Sequence, residues 1–232
     1  MTVFKYAMRR GFTSPASLIL NCAMPLILII WNGNIDPETG GIFGTAIFMT
    51  AMMIMFGAFM MARSIQLDKL DGTIVRILAG PVTMRSYLVQ NFFSAMIPMT
   101  VLSAIIAAVG VLLHSWEISF AVGLALCYAL LAATSIGLSF VWSCLFKDKE
   151  ASVAVFSVLI TLMATLGGLM IPISIMPDMM RRIGMVFPAH WAARGVYVLA
   201  SHGMNGEYWL SLLAMFLFTV AFLLYGGKRR LI

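Results

Sequence analysis

The sequence predicts an all-α, polytopic membrane protein with six transmembrane helices. Two observations lead to this fold class. Of the 232 residues, 62% are hydrophobic and only 10% are charged, which is more apolar material than one soluble core of this length needs. The apolar residues also fall into runs long enough to cross about 30 Å of hydrocarbon as helices. We therefore expect a single transmembrane domain over residues 1–232.

Six apolar runs are the predicted spans. The first is the weakest, because Asn21 and Pro25 interrupt it. A basic segment before it is also typical of a signal peptide, but no small-residue cleavage site follows, so we interpret the run as a span. The approximate bounds are 16–31, 42–62, 89–113, 120–145, 151–171 and 209–227.

The basic residues orient these spans, because Lys and Arg collect on the cytoplasmic side of a membrane. With both termini inside, all but three of the 15 Lys and Arg residues are cytoplasmic. The exceptions, Arg181, Arg182 and Arg194, share the last outer segment. An odd number of spans would place the closing basic cluster, residues 228–230, outside, so the pattern favours an even number.

The spans lack the residues that several function classes require. None of the six contains Asp, Glu, Lys, Arg or His, which disfavours proton-driven and ion-coupled carriers. No GxSxG motif or carboxylate pair is present for hydrolysis within the membrane. Cys22, Cys127 and Cys144 all lie in apolar runs and are interpreted as isolated buried thiols. We expect no catalytic residue, metal or cofactor in this chain.

The segment before the first span, residues 2–12, predicts an N-terminal amphipathic interfacial helix. Wound at 100° per residue, it separates an apolar face from a basic one, as in helices that lie along a membrane surface. The alternative is a basic tail that only sets orientation. The apolar face holds Val3, Phe4, Ala7, Met8 and Phe12, and the basic face holds Lys5, Arg9 and Arg10.

The outer region between spans five and six, residues 172–208, is too apolar for a loop and too interrupted for a span. Pro172, Pro177 and Pro188 divide it into pieces of a length typical of short re-entrant helices. Asp178 is a candidate cap for the first piece, and Trp191 suits the headgroup layer. We expect two short helices dipping into the outer leaflet. The alternative is that they only seal the outer end of the bundle.

The loop between spans two and three, residues 63–88, predicts a short transverse helix. Leu70, Ile74, Ile77 and Leu78 recur at helical spacing. The segment Asp71-Gly72-Thr73 breaks the preceding helix, with Asp71 or Thr73 available as a cap. Residues 79–81, Ala-Gly-Pro, end the short helix, and Thr83 begins the next one. The apolar side needs a protein partner or the headgroup layer to cover it.

Two stretches resemble one transporter family. LDKLDGTIVRILAGPVTMRSYLVQN is similar to the coupling-helix loop of type-2 ABC exporter (ABC-2 type) permeases, which has an acidic stretch, Gly-Thr, an apolar pair and a Pro-containing turn. GGLMIPISIMPDMMRRIGMVFPAHWAARGVYVL is similar to that family's region after span five. The order of both motifs, the six spans and the closing KRR extend the resemblance over nearly the whole chain.

The resemblance implies that the transverse helix is a cytoplasmic coupling helix. Two permease chains, identical or sister subunits, would then associate with two cytoplasmic ABC ATPase subunits that hold ATP and Mg²⁺. In agreement, this sequence has no GxxxxGK[ST] phosphate loop. The residues assigned to coupling are Asp68, Asp71, Gly72 and Thr73, with Ile74, Ile77 and Leu78 as the apolar docking face; the family often has Glu where this chain has Asp71.

We therefore predict a half-permease that exports an amphiphilic or hydrophobic compound, such as a drug, an antimicrobial peptide or a lipid-linked molecule. The resemblance places it in a bacterial cytoplasmic membrane, with membrane lipids but no nucleic acid among its partners. The alternatives are an ATP-independent ion-coupled carrier or channel, a polysaccharide-exporting ABC permease, and a membrane anchor or immunity subunit.

Flexible thioethers in the second span suit a hydrophobic binding surface, although they also suit ordinary packing. The substrate path is assigned to Met52, Met53, Phe56, Met60, Gly168 and Met170, and the outer gate to Pro172, Pro177, Pro188 and Trp191.

Overall fold

The computed structural model describes residues 23–32, 45–80, 83–146, 148–171 and 176–228. These residues form helices and turns without any strand. The predicted interfacial helix at residues 2–12, the first part of span one and the basic residues 229–230 lie outside the described residues. The helices are α1 Met24–Asn32, α2 Thr45–Ala62, α3 Ser64–Leu70, α4 Thr73–Leu78, α5 Met84–His114, α6 Ile118–Leu145, α7 Lys149–Gly167, α8 Asp178–Gly184, α9 Pro188–His202 and α10 Gly206–Lys228.

Five helical segments of the described chain are long and apolar enough to cross a membrane. The predicted spans two to six are therefore confirmed as apolar helices of sufficient length. Only residues 24–31 of the predicted first span are described as helical, in α1, so the sixth crossing stays a prediction. The five segments are Ala46–Leu70, Ser86–His114, Ile118–Leu145, Glu150–Gly167 and Gly206–Gly226.

Helix α6 is the centre of the bundle and packs against α2, α3, α5, α9 and α10. Its contacts combine apolar burial with hydrogen bonds between helices. Tyr128 donates to the carbonyl of Ile47 on α2 at 2.7 Å, and Tyr208 on α10 donates to the carbonyl of Gly123 at 2.8 Å. Both tyrosine side chains are fully buried. Each therefore brings a polar group into the core together with its partner, which avoids the cost of an unpaired hydroxyl.

The long helices alternate in direction, which gives the bundle two distinct ends. One end carries α3, α4 and the turn between α6 and α7; we call it the loop end. The other carries the turn between α5 and α6 together with α8 and α9; we call it the distal end. The alternation agrees with the predicted order of crossings, in which the transverse helix and the short outer helices lie on opposite sides.

The second span is longer than predicted. Helix α2 continues through Arg63 into α3, so that 25 residues, Ala46–Leu70, run almost without interruption. At 1.5 Å per residue this segment is about 38 Å long, whereas the hydrocarbon layer is about 30 Å thick. The polar residues of α3 therefore form an arm that extends beyond the layer at the loop end.

The fifth span is shorter than predicted. Helix α7 ends at Gly167 and not at residue 171, because Gly168 adopts a left-handed conformation with φ of 95°. The backbone N–H groups of Leu169 and Met170 both return to the carbonyl of Ala164, at 2.8 and 3.2 Å. This turn directs the chain away from the helix axis toward the distal helices.

Two helices, α8 and α9, lie in the predicted outer region, and their re-entrant placement stays a prediction. The cap of the first was predicted wrongly. Pro177 occupies the N-cap position of α8, and Asp178 is the first helical residue. The Asp178 carboxylate instead accepts a hydrogen bond from Arg181 at 2.6 Å, one turn along the same helix. The proline ring fixes φ near the value the helix start requires, which moves the boundary one residue earlier.

Close packing at the distal end requires glycine at two positions. A Cβ added to Gly184 would overlap the carbonyl oxygen of Leu166, and one added to Gly167 would lie 2.8 Å from the Cβ of Ala189. These contacts join α7, α8 and α9. We expect Gly184→Ala to lower stability by about 1–3 kcal/mol, since the neighbour is backbone and cannot rotate away. Thermal unfolding of the purified protein in detergent checks this.

The matched control is Gly206→Ala, because nothing lies within 4 Å of a Cβ added there. Its unfolding midpoint should stay at the wild-type value. Equal midpoints for the two variants would contradict the packing described above.

The start of α7 depends on one carboxylate. Asp148 accepts hydrogen bonds from the N–H groups of Glu150 and Ala151 at 2.7 and 2.9 Å, and these bonds lower the pKa of the carboxyl below its ordinary value of 3.8. The ionised form is therefore favoured in the folded protein. Its stabilisation is complete above the ordinary pKa and is lost as the pH falls through the lowered value.

We expect Asp148→Ala to unfold at lower temperature than wild type near neutral pH, with the difference shrinking below about pH 4. Thermal scans across this pH range measure it. The hydroxyl of Asp148→Ser caps the helix without titrating, so the unfolding temperatures of Asp148→Ser and Asp148→Ala should differ by the same amount at every pH. If the difference between wild type and Asp148→Ala persists unchanged in acid, the charge of the carboxylate is not involved.

Candidate functional site

Three places hold the residues that the sequence assigns to function: the arm and short helix at the loop end, a cavity between α2 and α7, and the distal helices. At the loop end, Gly72 has φ of 68° and is the N-cap of α4. This left-handed residue turns the chain out of α3, as the Asp-Gly-Thr motif predicts. The cap prediction for Asp71 and Thr73 is wrong, because Asp71 is the C-cap of α3 and Thr73 is the first residue of α4.

Other features of this loop agree with the sequence. Helix α4 ends at Leu78, before Ala79 and Gly80. Thr83 caps α5, and its hydroxyl accepts from the N–H of Ser86 at 3.3 Å. A short helix, α4, therefore lies in the predicted segment with breaks on both sides, and its transverse orientation stays a prediction.

The exposure of α4 differs between its two faces. Ile74 is only 2% exposed, and Ile77 is half-buried against the core. On the other side of α4, Val75 and Arg76 are exposed. Asp71 before the helix and residues 79 and 80 after it are exposed as well. The apolar residues assigned to docking thus lie toward this chain's own bundle, and a partner would meet a mixed surface. The Leu78 side chain lies outside the described residues.

The arm α3 is buried although it is polar. Asp68 is 7% exposed, and its Oδ2 accepts a hydrogen bond from the Tyr87 hydroxyl at 2.7 Å. Gln66 is 1% exposed, and its Oε1 accepts from the Ser152 hydroxyl at 2.9 Å. The indole of Trp142 in turn donates to the Ser152 oxygens at 3.1 and 3.2 Å. We call these five residues the loop-end cluster.

A cavity of about 380 Å³ lies between α2 and α7. Phe59 and Phe156 stack between the same two helices, with ring centroids 3.5 Å apart. Methionines make up half of the lining residues, and no charged side chain of the described chain lines the cavity. The lining residues are Met49, Met52, Met53, Phe56, Ser157, Ile160, Thr161 and Met170.

The two hydroxyl groups that line the cavity each donate a hydrogen bond within the protein. Ser157 donates to the carbonyl of Val153 at 2.8 Å, and Thr161 donates to the carbonyl of Ser157 at 2.9 Å. Both bonds lie along α7, so the oxygens offer a ligand acceptor lone pairs and no further proton. The site therefore favours an uncharged, largely apolar ligand surface.

The distal helices form the third region. Pro177 and Pro188 begin α8 and α9, and Pro172 lies outside the described residues. The Trp191 indole donates to the carbonyl of Met185 at 3.0 Å. The Arg194 guanidinium lies 5.9 Å from the Trp191 ring centroid and forms a 3.3 Å ion pair with Glu207 of α10. These contacts join α9 to its neighbours.

The neighbouring histidine is buried. His190 is 2% exposed, and burial together with the charges of Arg194 and Arg181 lowers the pKa of its imidazole. The ring is therefore neutral near pH 7.

The structure brings together four of the six residues assigned to the substrate path: Met52, Met53, Phe56 and Met170. Met60 packs against the hydrophobic core and does not line the cavity. Gly168 forms the turn two residues before Met170. The prediction missed Ser157 and Thr161, although their spacing of four on one helix is a signal that the sequence contains. It also missed Tyr87 and Ser152, which only the fold places beside α3.

A family model described as ABC-2 family transporter protein matches residues 23–227 of the chain. The search of curated proteins found no match to the chain. The matched range includes the loop end, the cavity and the distal helices.

The left-handed turn at Gly72 gives a graded test of the loop geometry. Nothing lies within 4 Å of a Cβ added there, so only backbone strain penalises a substitution. We expect Gly72→Ala to cost about 1–2 kcal/mol and Gly72→Asn less, because Asn tolerates the left-handed region. Unfolding midpoints measure both variants. A Gly72→Asn protein less stable than Gly72→Ala would show that space and not strain limits the position.

Proposed function

The chain belongs to the ABC-2 transporter family, and from this membership we propose that it is the permease half of an ATP-driven exporter for apolar or amphiphilic compounds. Members of the family are membrane transport subunits, and the apolar helices described above agree with an ABC-type permease. The observation that carries the finer proposal is the pair formed by the transverse helix α4 and the uncharged cavity between α2 and α7.

We assign the ATPase contact to the exposed side of α4. Val75 and Arg76 offer one apolar side chain and one cation on a short helix that leads into the spans. Such a mixed surface fits a protein partner better than it fits hydrocarbon. Ile74 and Ile77 then hold α4 against the bundle. A displacement of α4 by the ATPase would therefore also displace the helices that these two residues contact.

The loop end is the proposed cytoplasmic side. Arg63, Lys69, Arg76 and the first residue of α7, Lys149, lie there, which agrees with the orientation rule for Lys and Arg. Both termini would then be cytoplasmic, in the inner membrane of a bacterium. Two ATPase subunits and a second permease chain complete the proposed transporter, with ATP and Mg²⁺ held by the ATPases.

The cavity is the proposed substrate site. Methionine side chains adapt their shape to different ligands, which suits export of varied apolar compounds. A polysaccharide needs many donors and acceptors, whereas this lining offers two acceptor hydroxyls. The lining therefore favours a drug-like or lipid-linked compound over a sugar polymer. The distal helices, with Pro177, Pro188 and Trp191, would close the outer side.

The motor contact is tested by reversing one charge. We expect Arg76→Glu to reduce the ATPase subunit that co-purifies with the permease by at least about tenfold, the effect of about 1.4 kcal/mol. Quantitative pull-down of the ATPase encoded beside this chain measures it. The matched control is Arg182→Glu, an exposed arginine of α8 at the distal end, which should leave the ATPase bound. Equal recovery with both variants would exclude α4 as the contact.

The substrate site is tested by filling the cavity. Ser157→Phe puts a ring where the serine lines the wall, and we expect it to abolish ATP-dependent efflux of the neutral dye Nile red from vesicles. Val158→Phe is the control, because Val158 is 60% exposed and does not line the cavity. Efflux that survives Ser157→Phe, or falls equally with Val158→Phe, would place the substrate elsewhere.

A further inference from the structure

The arm α3 is fixed to three different helices by its polar side chains. Asp68 is bonded to Tyr87 in the first turn of α5. Gln66 is bonded to Ser152 in the first turn of α7. Lys69 donates to the carbonyl of Ser143 near the end of α6 at 3.3 Å. The arm therefore cannot move relative to α5, α6 or α7 without breaking a hydrogen bond.

Stability alone does not account for these side chains. An apolar α3 would fill the same space without the cost of removing a carboxylate and an amide from water. Moreover, the Nε2 of Gln66 is buried and has no hydrogen-bond partner among the residues that the structure describes. A buried donor left unpaired costs free energy, and proteins usually keep such groups where position matters more than stability.

The loop-end cluster lies between α4 and the cavity. Gly72 and α4 follow the arm directly, two residues after its last helical position. On the other side, Ser152 lies five residues before Ser157 on α7, about 7.5 Å along the helix axis. The cluster thus joins the segment that leads into α4 to the helix that carries Ser157, Ile160 and Thr161 of the cavity wall.

We propose that the Tyr87–Asp68 and Ser152–Gln66 hydrogen bonds are positioning contacts that make α3, α5 and α7 move as one body, so that a displacement of α4 reaches the cavity. This inference rests on the proposed function, because an ATPase must displace α4. Trp142 holds Ser152 and Lys69 donates to Ser143, so the end of α6 is joined to the same body. These residues touch neither substrate nor nucleotide.

The experiment follows the movement at both ends of the path. An environment-sensitive fluorophore is placed at Ala79→Cys beside α4 or at Val158→Cys on α7, in a chain whose three native cysteines are replaced by alanine. Each labelled complex, permease with ATPase, is compared with and without ATP and vanadate. In wild type we expect both positions to respond. In Tyr87→Phe and in Ser152→Ala we expect the Ala79 response to persist and the Val158 response to fall about twofold or more.

The matched control is Tyr208→Phe, which removes a buried tyrosine hydrogen bond of 2.8 Å at the distal end. It should leave both responses intact, whereas a general loss of stability would affect Tyr208→Phe and Tyr87→Phe alike. Ser152→Ala keeps the test available if Tyr87→Phe fails to fold. A full Val158 response in the cluster variants overturns this inference alone. No response at Ala79 in wild type overturns the proposed motor contact, and this inference with it.

Discussion

A helix inside a bilayer must satisfy its own backbone, because lipid supplies no hydrogen-bond partner. This constraint determines where the chain is able to change direction. Two of its turns use a left-handed glycine: Gly72 after the arm and Gly168 after α7. They lie at opposite ends of the bundle, on the two helical segments that enclose the cavity. Only Gly168 lies next to the proposed substrate site, two residues before Met170 of its wall.

The same constraint separates polar from apolar chemistry along the bundle. In the interior, hydroxyls donate to carbonyls of their own helix or a neighbour, as Thr134 of α6 does to Leu130 and to Met215 of α10. Carboxylate, amide and ammonium groups concentrate in the arm, where the helix is longer than the hydrocarbon layer. Movement from a cytoplasmic motor would enter through the part of the bundle that holds directional bonds, and would end at a cavity lined by adaptable side chains.

The sequence predicted what depends on local pattern. Apolar runs located five crossings, the Gly-Thr step located the break before α4, and four of the six path residues line one cavity. It failed where the outcome depends on distant partners. The motif assigned Asp68 to coupling but did not indicate its hydrogen bond with Tyr87, 19 residues later. Ile74 looked like a docking residue because nothing in a linear pattern shows that the chain's own bundle lies behind it. Asp178 does not cap α8, because Pro177 occupies the N-cap position and its ring fixes the backbone there.

The cavity also bears on the second permease chain. At about 380 Å³ it lies near the lower limit for sites that take drug-sized ligands. Met49 and Met170 on its wall are exposed, so the cavity is open toward the outside of the bundle. Lipid covering that opening would compete with any apolar substrate, whereas a second copy facing it would enclose a space about twice as large and exclude lipid. A closed site of that kind needs both halves to move together, which is the arrangement that one motor subunit beneath each half would provide.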